Sequence, residues 1–355
     1  FVMEMTIHTF ELTAILSVEE TEKLRNTLFD YAKGKQGMCY KNGNRLYFNR
    51  WCSDGIRFFL HRNTNIPGST LHLVITPAKI LGYDDAAALF FPSLQNMDKI
   101  DAAIREILSL LPIKLHSQQM QLNRLDLCRN VLLPEQRYID TYIHLLKKGA
   151  FAARWEKQSY PDGDERNAHS FRMVNTYYQV TVYDKLYQIK HEGYHTNWEK
   201  SDRILRVEVS LLRPGILEEL ERYMLYKDAS WSSQLFDLAA NGGSIMYRII
   251  CRLVSDAPYY TLSAAKKYLA AQDISYAKKT HLIAFLSEIN QSKLFDKERI
   301  KRKFSNAKKR FKQLKSLQIN PATIEVRAGI SYLPSLNQLI SMEFTLSQLN
   351  PLFKF

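Results

Sequence analysis

Three short stretches of this chain alternate with period two, and each sets polar or ionisable groups against an aliphatic row. Successive side chains of a strand point to opposite faces. In 123–128, Leu125 and Leu127 face one way while Arg124, Asp126 and Cys128 face the other. In 204–212, Leu205, Val207, Val209 and Leu211 oppose Arg206, Glu208 and Ser210. In 176–184, Tyr178, Val180 and Val182 oppose Gln179, Thr181 and Tyr183. If the three strands are neighbours in one sheet, Asp126, Glu208 and Tyr183 share a surface. Two carboxylates with open positions suit a hard divalent cation, Mg²⁺ or Mn²⁺. A tyrosine beside such a cation can act as an oxygen nucleophile on phosphate. The plainer reading is a solvated face of an antiparallel sheet, on which Arg and Glu pair across strands.

Strand signals dominate the first 130 residues. Runs at 44–49, 55–61 and 70–76 are separated by the turn signals Asn42-Gly43, Asp54-Gly55 and Pro67-Gly68. A helix follows Ser17, with Glu20 three residues on as in a capping box. Residues 97–111 and 135–148 have helical periodicity, and 157–169 reads as a polar loop. After Arg213-Pro214-Gly215 the pattern turns helical through 318. We therefore expect a boundary near 213–230, with a domain over 1–225 and a second over 226–355. The expected fold class is α+β, an antiparallel sheet with helices packed on it, followed by a basic helical domain.

The chain has 355 residues, with 49 Lys plus Arg against 36 Asp plus Glu, a net charge of +13. That surplus favours a polyanionic partner. No run of about 18 apolar residues occurs, which argues against a membrane span. The start, FVMEMTIHTFEL, shows no basic segment followed by an apolar one, so it does not read as a secretory signal. The four cysteines lack zinc spacing and read as reduced thiols, which suits a cytoplasmic protein.

Four motifs in order resemble the filamentous-phage gene-two replication endonucleases and the related plasmid rolling-circle initiators (Rep proteins), nickases related to the HUH superfamily. They are LVITPAKILG from Leu73, LNRLDLCRN with Asp126, VTVYDKLYQ with Tyr183, and LRVEVSLLRPG with Glu208. The tail INPATIEVRAGISYLPSLNQLI, 319–340, is similar to the family's tail. The resemblance implies a HUH/Rep-like nuclease fold with Tyr183 as nicking nucleophile, Lys185 beside it, and Asp126 and Glu208 as metal ligands. The His-hydrophobe-His pair usual in the superfamily is missing, so the third ligand stays open among His169, His8 and His72, with His169 the first choice. An unperturbed phenol has a pKa of about 10, so it needs a nearby cation to ionise at neutral pH. The implied product is a 5′-phosphotyrosyl enzyme with a free 3′-hydroxyl, and the reverse step rejoins the strand. Also implied are an origin hairpin or single-stranded origin DNA, a host helicase and DNA polymerase, and the cytoplasm of a bacterium carrying a plasmid or phage. Tyr187, four residues after Tyr183, is either a second catalytic tyrosine or a packing residue. A conjugative relaxase shares this chemistry, and a non-catalytic origin-binding protein shares the charge.

Two further features bear on function. His191-Glu192-Gly193-Tyr194-His195 fits the zincin pattern, but Gly193 weakens the helix that the pattern needs. Residues 293–315 hold eleven Lys or Arg and two acids. Ile300, Phe304, Ala307, Phe311 and Leu314 recur at spacings of four and three, which predicts one amphipathic helix. A solvated face, a membrane surface and a phosphate backbone compete for its basic side, and the backbone fits best. Lys301, Arg302, Lys303, Lys308, Lys309 and Arg310 are the expected contacts there, with Arg124, Arg206 and Lys185 on the sheet. Residues 261–289 fit either a helix-turn-helix turning at 272–275 or a plain helical hairpin.

Overall fold

The computed structural model describes residues 5–64, 67–83, 87–149, 154–161, 163–192, 198–291 and 297–341, without the side chains of 198, 200, 297, 298 and 301. The chain is α+β and is built on a large antiparallel sheet. Its strands are β1 (Thr6–Leu16), β2 (Cys39–Asn42), β3 (Arg45–Phe48), β4 (Ile56–Arg62), β5 (Ser69–Ile75), β6 (Gln121–Leu132), β7 (Glu156–Lys157), β8 (Ser170–Val174), β9 (Tyr178–Asp184) and β10 (Ile204–Leu212). No described helix is long and apolar enough to cross a membrane.

The chain divides into two compact units, both discontinuous in sequence. The first holds residues 1–129, 176–179 and 208–244; the second holds 130–175, 180–207 and 245–355. Neither coincides with 1–225 or 226–355. A cut at 225 follows the change from strand-like to helical pattern, whereas compactness follows which residues pair.

In the first unit the strands run in the order β2-β3-β4-β5-β1-β6, and the end of β10 follows β6. The β2–β3 hairpin closes at Asn42↔Arg45 around Gly43, whose φ of 57° favours glycine. β1 is central because its inward residues are apolar: Phe10, Leu12 and Leu16 are buried with Leu71, Leu73 and Ile75 of β5. Helix Val18–Ala32 starts with the expected capping box, Ser17 accepting from the Glu20 amide and Glu20 accepting from the Ser17 amide. It buries Leu24 and Leu28. Trp231 of helix Trp231–Ala240 stacks on Phe10 at 5.5 Å.

Along β6 the register with β1 shifts between Ile7 and Phe10. The two residues inside that bulge are His8 and Thr9, and both turn toward carboxylates, as described below. Bulges re-aim side chains in this way.

In the second unit the first half of β10 leads to β9, β8 and β7 in order. Helix Gln136–Gly149 buries Tyr142, whose hydroxyl donates to the Pro334 carbonyl at 3.0 Å. A separate core gathers Leu282, Phe285, Leu286, Ile289, Ile300 and Leu314 from the C-terminal helices. Helices Leu262–Ala271 and Tyr276–Ile289 flank the expected turn. The single basic helix expected over 293–315 is two helices, Lys297–Lys303 and Ala307–Ser316, with Phe304 to Asn306 between them. Phe304 and Phe311 both pack edge-on against Phe285, at 5.1 and 5.0 Å. The apolar spacing is thus satisfied by a kinked pair as well as by a straight rod.

Candidate functional site

The polar face of the first unit buries its two central carboxylates, while Arg124, Glu11, His8 and His72 are half-buried, so it is neither a fully solvated face nor a dry one. Asp126 is fully buried and Glu208 is 8% exposed. Arg124 lies two residues from Asp126 on the same face of β6 and grips it with a guanidinium fork. Nε donates to Oδ1 and Nη2 to Oδ2, each at 2.7 Å. The Thr9 hydroxyl donates to the same Oδ2. Burial works against the Arg124 charge, but Asp126, Glu11 and Glu208 outweigh it and hold its pKa above the ordinary value.

Glu208 meets His8, Oε1 to Nδ1, at 3.0 Å. Glu11 meets His72 Nδ1 at 2.6 Å and accepts from Asn123 Nδ2 at 3.0 Å. Burial pushes the Glu11 carboxyl up, yet His72, Asn123 and Arg124 together hold it below its usual range. The sequence thus brings Asp126, Glu208 and Arg124 into one unit. It does so as ion-paired groups, with His8 rather than His169 beside Glu208.

A divalent cation needs open carboxylate oxygens. Both Asp126 oxygens already accept hydrogen bonds, and a guanidinium occupies the space where a second cation would be repelled. The donor set at Asp126 is that of a buried ion pair and does not fit a metal.

The second unit contains a set that does fit. One ligand atom each from Asp140, His169 and Asp184 lie within 4.8 Å of one another. Asp140 stands on helix Gln136–Gly149, His169 ends the short helix Arg166–His169, and Asp184 ends β9. Gln136 Nε2 donates to Asp184 Oδ2 at 2.7 Å and lies 3.1 Å from Asp140 Oδ1. His169 Nδ1 is buried, makes no hydrogen bond, and lies 3.7 Å from Asp184 Oδ2. A buried imidazole nitrogen without a hydrogen bond, beside two carboxylates, is a donor set that suits a borderline-hard divalent ion. Among the described residues this is the group of three or more such side chains that could hold a metal ion.

Asp184 also caps helix Lys185–His191, accepting from the Tyr187 amide at 3.1 Å. The cap places Tyr187 over His169, ring on ring at 3.8 Å. Burial first, then Glu165 and Asp164, push the Tyr187 phenol above its ordinary pKa. Tyr183 lies one residue before Asp184 and on the opposite face of the strand by alternation, 8% exposed. Lys185 is 4% exposed, and its Nζ donates to Gln188 Oε1 at 2.8 Å.

Several expected contacts find other placements. Arg206 is fully buried and its Nε donates to Asn130 Oδ1 at 2.8 Å, which removes it from any surface facing DNA. Arg302, Lys303, Lys308 and Lys309 are exposed. Lys303 pairs with Glu288, and Arg310 lies over Phe304 at 4.5 Å. The Lys301 side chain lies outside the described residues. Helix Lys185–His191 stops at the first histidine of the zincin pattern, and 193–195 lie outside the described residues.

The sequence reading did not single out Asp140 or Asp184. Asp184 was visible as an N-cap residue directly after the tyrosine strand; Asp140 gave only a helix-face position four residues after Gln136. No family model matches this chain, and no curated protein matches it significantly.

Proposed function

We propose that the chain is a metal-dependent nicking and joining endonuclease for single-stranded DNA, with a HUH/Rep-like nuclease fold, acting at a rolling-circle origin through Tyr183. The observation that carries this reading is the metal-capable Asp140–His169–Asp184 set at the end of β9, the strand that also carries Tyr183. The Tyr183 side chain leaves that strand on the face opposite Asp184, so the reading requires the scissile phosphate to reach around the strand end. The ordered motifs around Asp126, Tyr183 and Glu208 and the net charge of +13 support it.

In this reading the Tyr183 phenol loses its proton and its oxygen attacks the scissile phosphorus. The new P–O bond to tyrosine forms as the P–O3′ bond breaks, and the departing 3′ oxygen takes up a proton. The 5′ end stays on the enzyme, and attack by a 3′-hydroxyl reverses the step and rejoins a strand. Lys185, two residues on, is the cation assigned to favour the phenolate. The metal, when bound, would draw charge from the non-bridging oxygens. Asp126 and Glu208, paired with Arg124 and His8, brace the sheet of the first unit and do not hold the metal. Arg302, Lys308 and Lys309 supply phosphate contacts that carry no sequence information. A host helicase and polymerase would then extend the free 3′ end, in a bacterial cytoplasm.

A second reading, favoured by the stacking of Tyr187 on His169, makes Tyr187 the nucleophile or an alternate one. The test is a denaturant-resistant covalent adduct between the protein, Mn²⁺ and a labelled single-stranded origin oligonucleotide. An adduct lost in Tyr183→Phe and kept in Tyr187→Phe is the expected result; the reverse pattern selects the second reading. Tight, metal-independent binding with no adduct on any strand would leave an origin-binding protein and sink both. Nicking at a transfer origin instead would identify a relaxase.

A further inference from the structure

The first unit carries a row of rings that the nicking chemistry does not use. Tyr40 of β2 sits opposite Tyr47 of β3, Tyr47 opposite Phe59 of β4, and Phe59 opposite His72 of β5. Four consecutive strands therefore place an aromatic ring at one level of one face. The rings touch in sequence. Tyr40 and Tyr47 stack at 4.9 Å and 8°, Tyr47 and Phe59 tilt at 5.1 Å, and Phe59 and His72 stack at 4.4 Å and 10°.

Exposure rises toward the edge. Phe59 is 5% exposed, Tyr47 is half-buried, and Tyr40, on the edge strand, is 45% exposed. One face of the Tyr40 ring lies on Tyr47, so its open area is the opposite face and the rim.

Cross-strand aromatic pairs stabilise sheets, and that accounts for the inner rings. It does not account for an outermost tyrosine left open on an edge strand with Arg45 on the same face. Arg45 lies 5.3 Å from the Phe59 ring and reaches the Tyr47 hydroxyl at 3.5 Å. A groove of about 510 Å³ reaches this edge at Tyr40 and Arg45, but Arg25, Lys41 and Arg62 line it from the other face of the sheet: Lys41 pairs with Leu46, and Arg62 alternates with the His61 that pairs with Arg45. All four of these cationic side chains are exposed, and none has an ion pair among the described residues. Glu22 is the one carboxylate in that lining. An open ring face beside an arginine recognises an unpaired base and its phosphate, since the base face is hidden in a duplex.

We propose that the β2 edge of this sheet is a landing site for single-stranded DNA, in which a base extends the ring stack by lying on Tyr40 while Arg45, on the same face, holds a flanking phosphate. The proposal rests on the DNA partner of the proposed function, and it needs neither the metal nor Tyr183.

The experiment uses the full chain in EDTA with a fluorescein-labelled oligothymidine of about twelve nucleotides, within the span of one single-strand site. Binding is read by anisotropy as salt is varied. Tyr40→Ala and Tyr40→Leu are expected to weaken binding roughly 5- to 160-fold, the range for losing one base–aromatic stack. Tyr40→Phe, which keeps the ring, stays within about twofold of the parent on the same stacking argument. Arg45→Gln lowers the slope of log K against log salt by about 0.7, one phosphate contact on a single strand. An oligonucleotide carrying 5-iodouracil is expected to cross-link to the peptide containing Tyr40.

Parental affinity in both Tyr40→Ala and Tyr40→Leu, with unchanged melting temperatures, overturns the proposal. So does a cross-link that maps only to other peptides. Failure of the nicking reading looks different: Tyr183→Phe and the parent both form no adduct, yet the Tyr40 effect on binding remains.

Discussion

Replacing Arg124 by alanine removes the fork that holds the Asp126 carboxylate and leaves a single Thr9 hydrogen bond on a fully buried charge. Removing one partner of a fully buried pair costs about 3–5 kcal/mol, whereas an exposed pair is worth about 0–1 kcal/mol. The Asp126 side chain is 1% exposed and the Arg124 side chain 35% exposed. Solvent reaches one end of the guanidinium, and Thr9 remains, so the expected loss falls to about 2–3 kcal/mol. In a cooperative unit of this size each kcal/mol shifts the melting temperature by about 2–4 °C, so Arg124→Ala should melt about 5–10 °C lower. Arg124→Met combined with Asp126→Leu removes both charges and should recover most of that loss, because a buried pair barely outweighs apolar groups of similar volume. The assay is calorimetry on the parent, the two single variants and the pair, in buffer with EDTA and again with Mn²⁺. Two results would refute the reasoning. One is a double variant no more stable than Arg124→Ala. The other is a Mn²⁺-induced rise in melting temperature that Asp126→Asn abolishes, since that would make Asp126 a ligand and not an ion-pair partner.

Three other outcomes follow from the described contacts. His169→Ala or Asp184→Asn should abolish Mn²⁺ binding measured by calorimetric titration of the DNA-free protein, whereas Glu208→Gln should leave it in place. The Glu11 carboxyl is held low in the fold, so its contribution is present above about pH 4.3, its unfolded value, and is lost as pH falls through the depressed folded value. Urea midpoints followed from neutral to acid pH should therefore fall less steeply in Glu11→Gln. Burial, then the like charge of Lys157, lowers the Lys147 pKa to about 8. Between that value and about 10.4 the unfolded chain binds more protons, so stability should climb with pH across this window, and Lys147→Met should flatten the climb.

Period two made the strands legible. β10 spans the expected Ile204–Leu212, and β3, β4 and β5 fall within a residue or two of the runs read between turn signals. The Arg124–Asp126 pair was also readable, since residues two apart on a strand share a face. What could not be read was depth. Alternation reports which residues share a face, not whether that face meets water, so Arg206 and Asp126 looked available for ligands when both are buried. The metal-capable set joins residues 140, 169 and 184 from a helix, a one-turn helix and a strand end, and such a meeting depends on tertiary placement. His8 was among the candidate histidines, but its pairing with Glu208 was not legible for a related reason. It reaches Glu208 from a bulge in β1, and a shift in register leaves no period to detect. The break between Lys303 and Ala307 was masked because the apolar spacing runs through it unchanged.

The interleaving of the two units has a consequence for how the protein is made. Five chain crossings separate them, and the first unit's last segment, 208–244, begins well after its first has ended at 129. At roughly 5–20 residues per second, the ribosome needs on the order of 6–23 s to go from residue 129 to residue 244. Through that interval β6 has left the ribosome while the β10 residues that belong beside it are still being synthesised, and its open edge can pair with a neighbouring nascent chain. Synonymous codon changes that slow translation between 130 and 207 would lengthen this exposure without altering any residue.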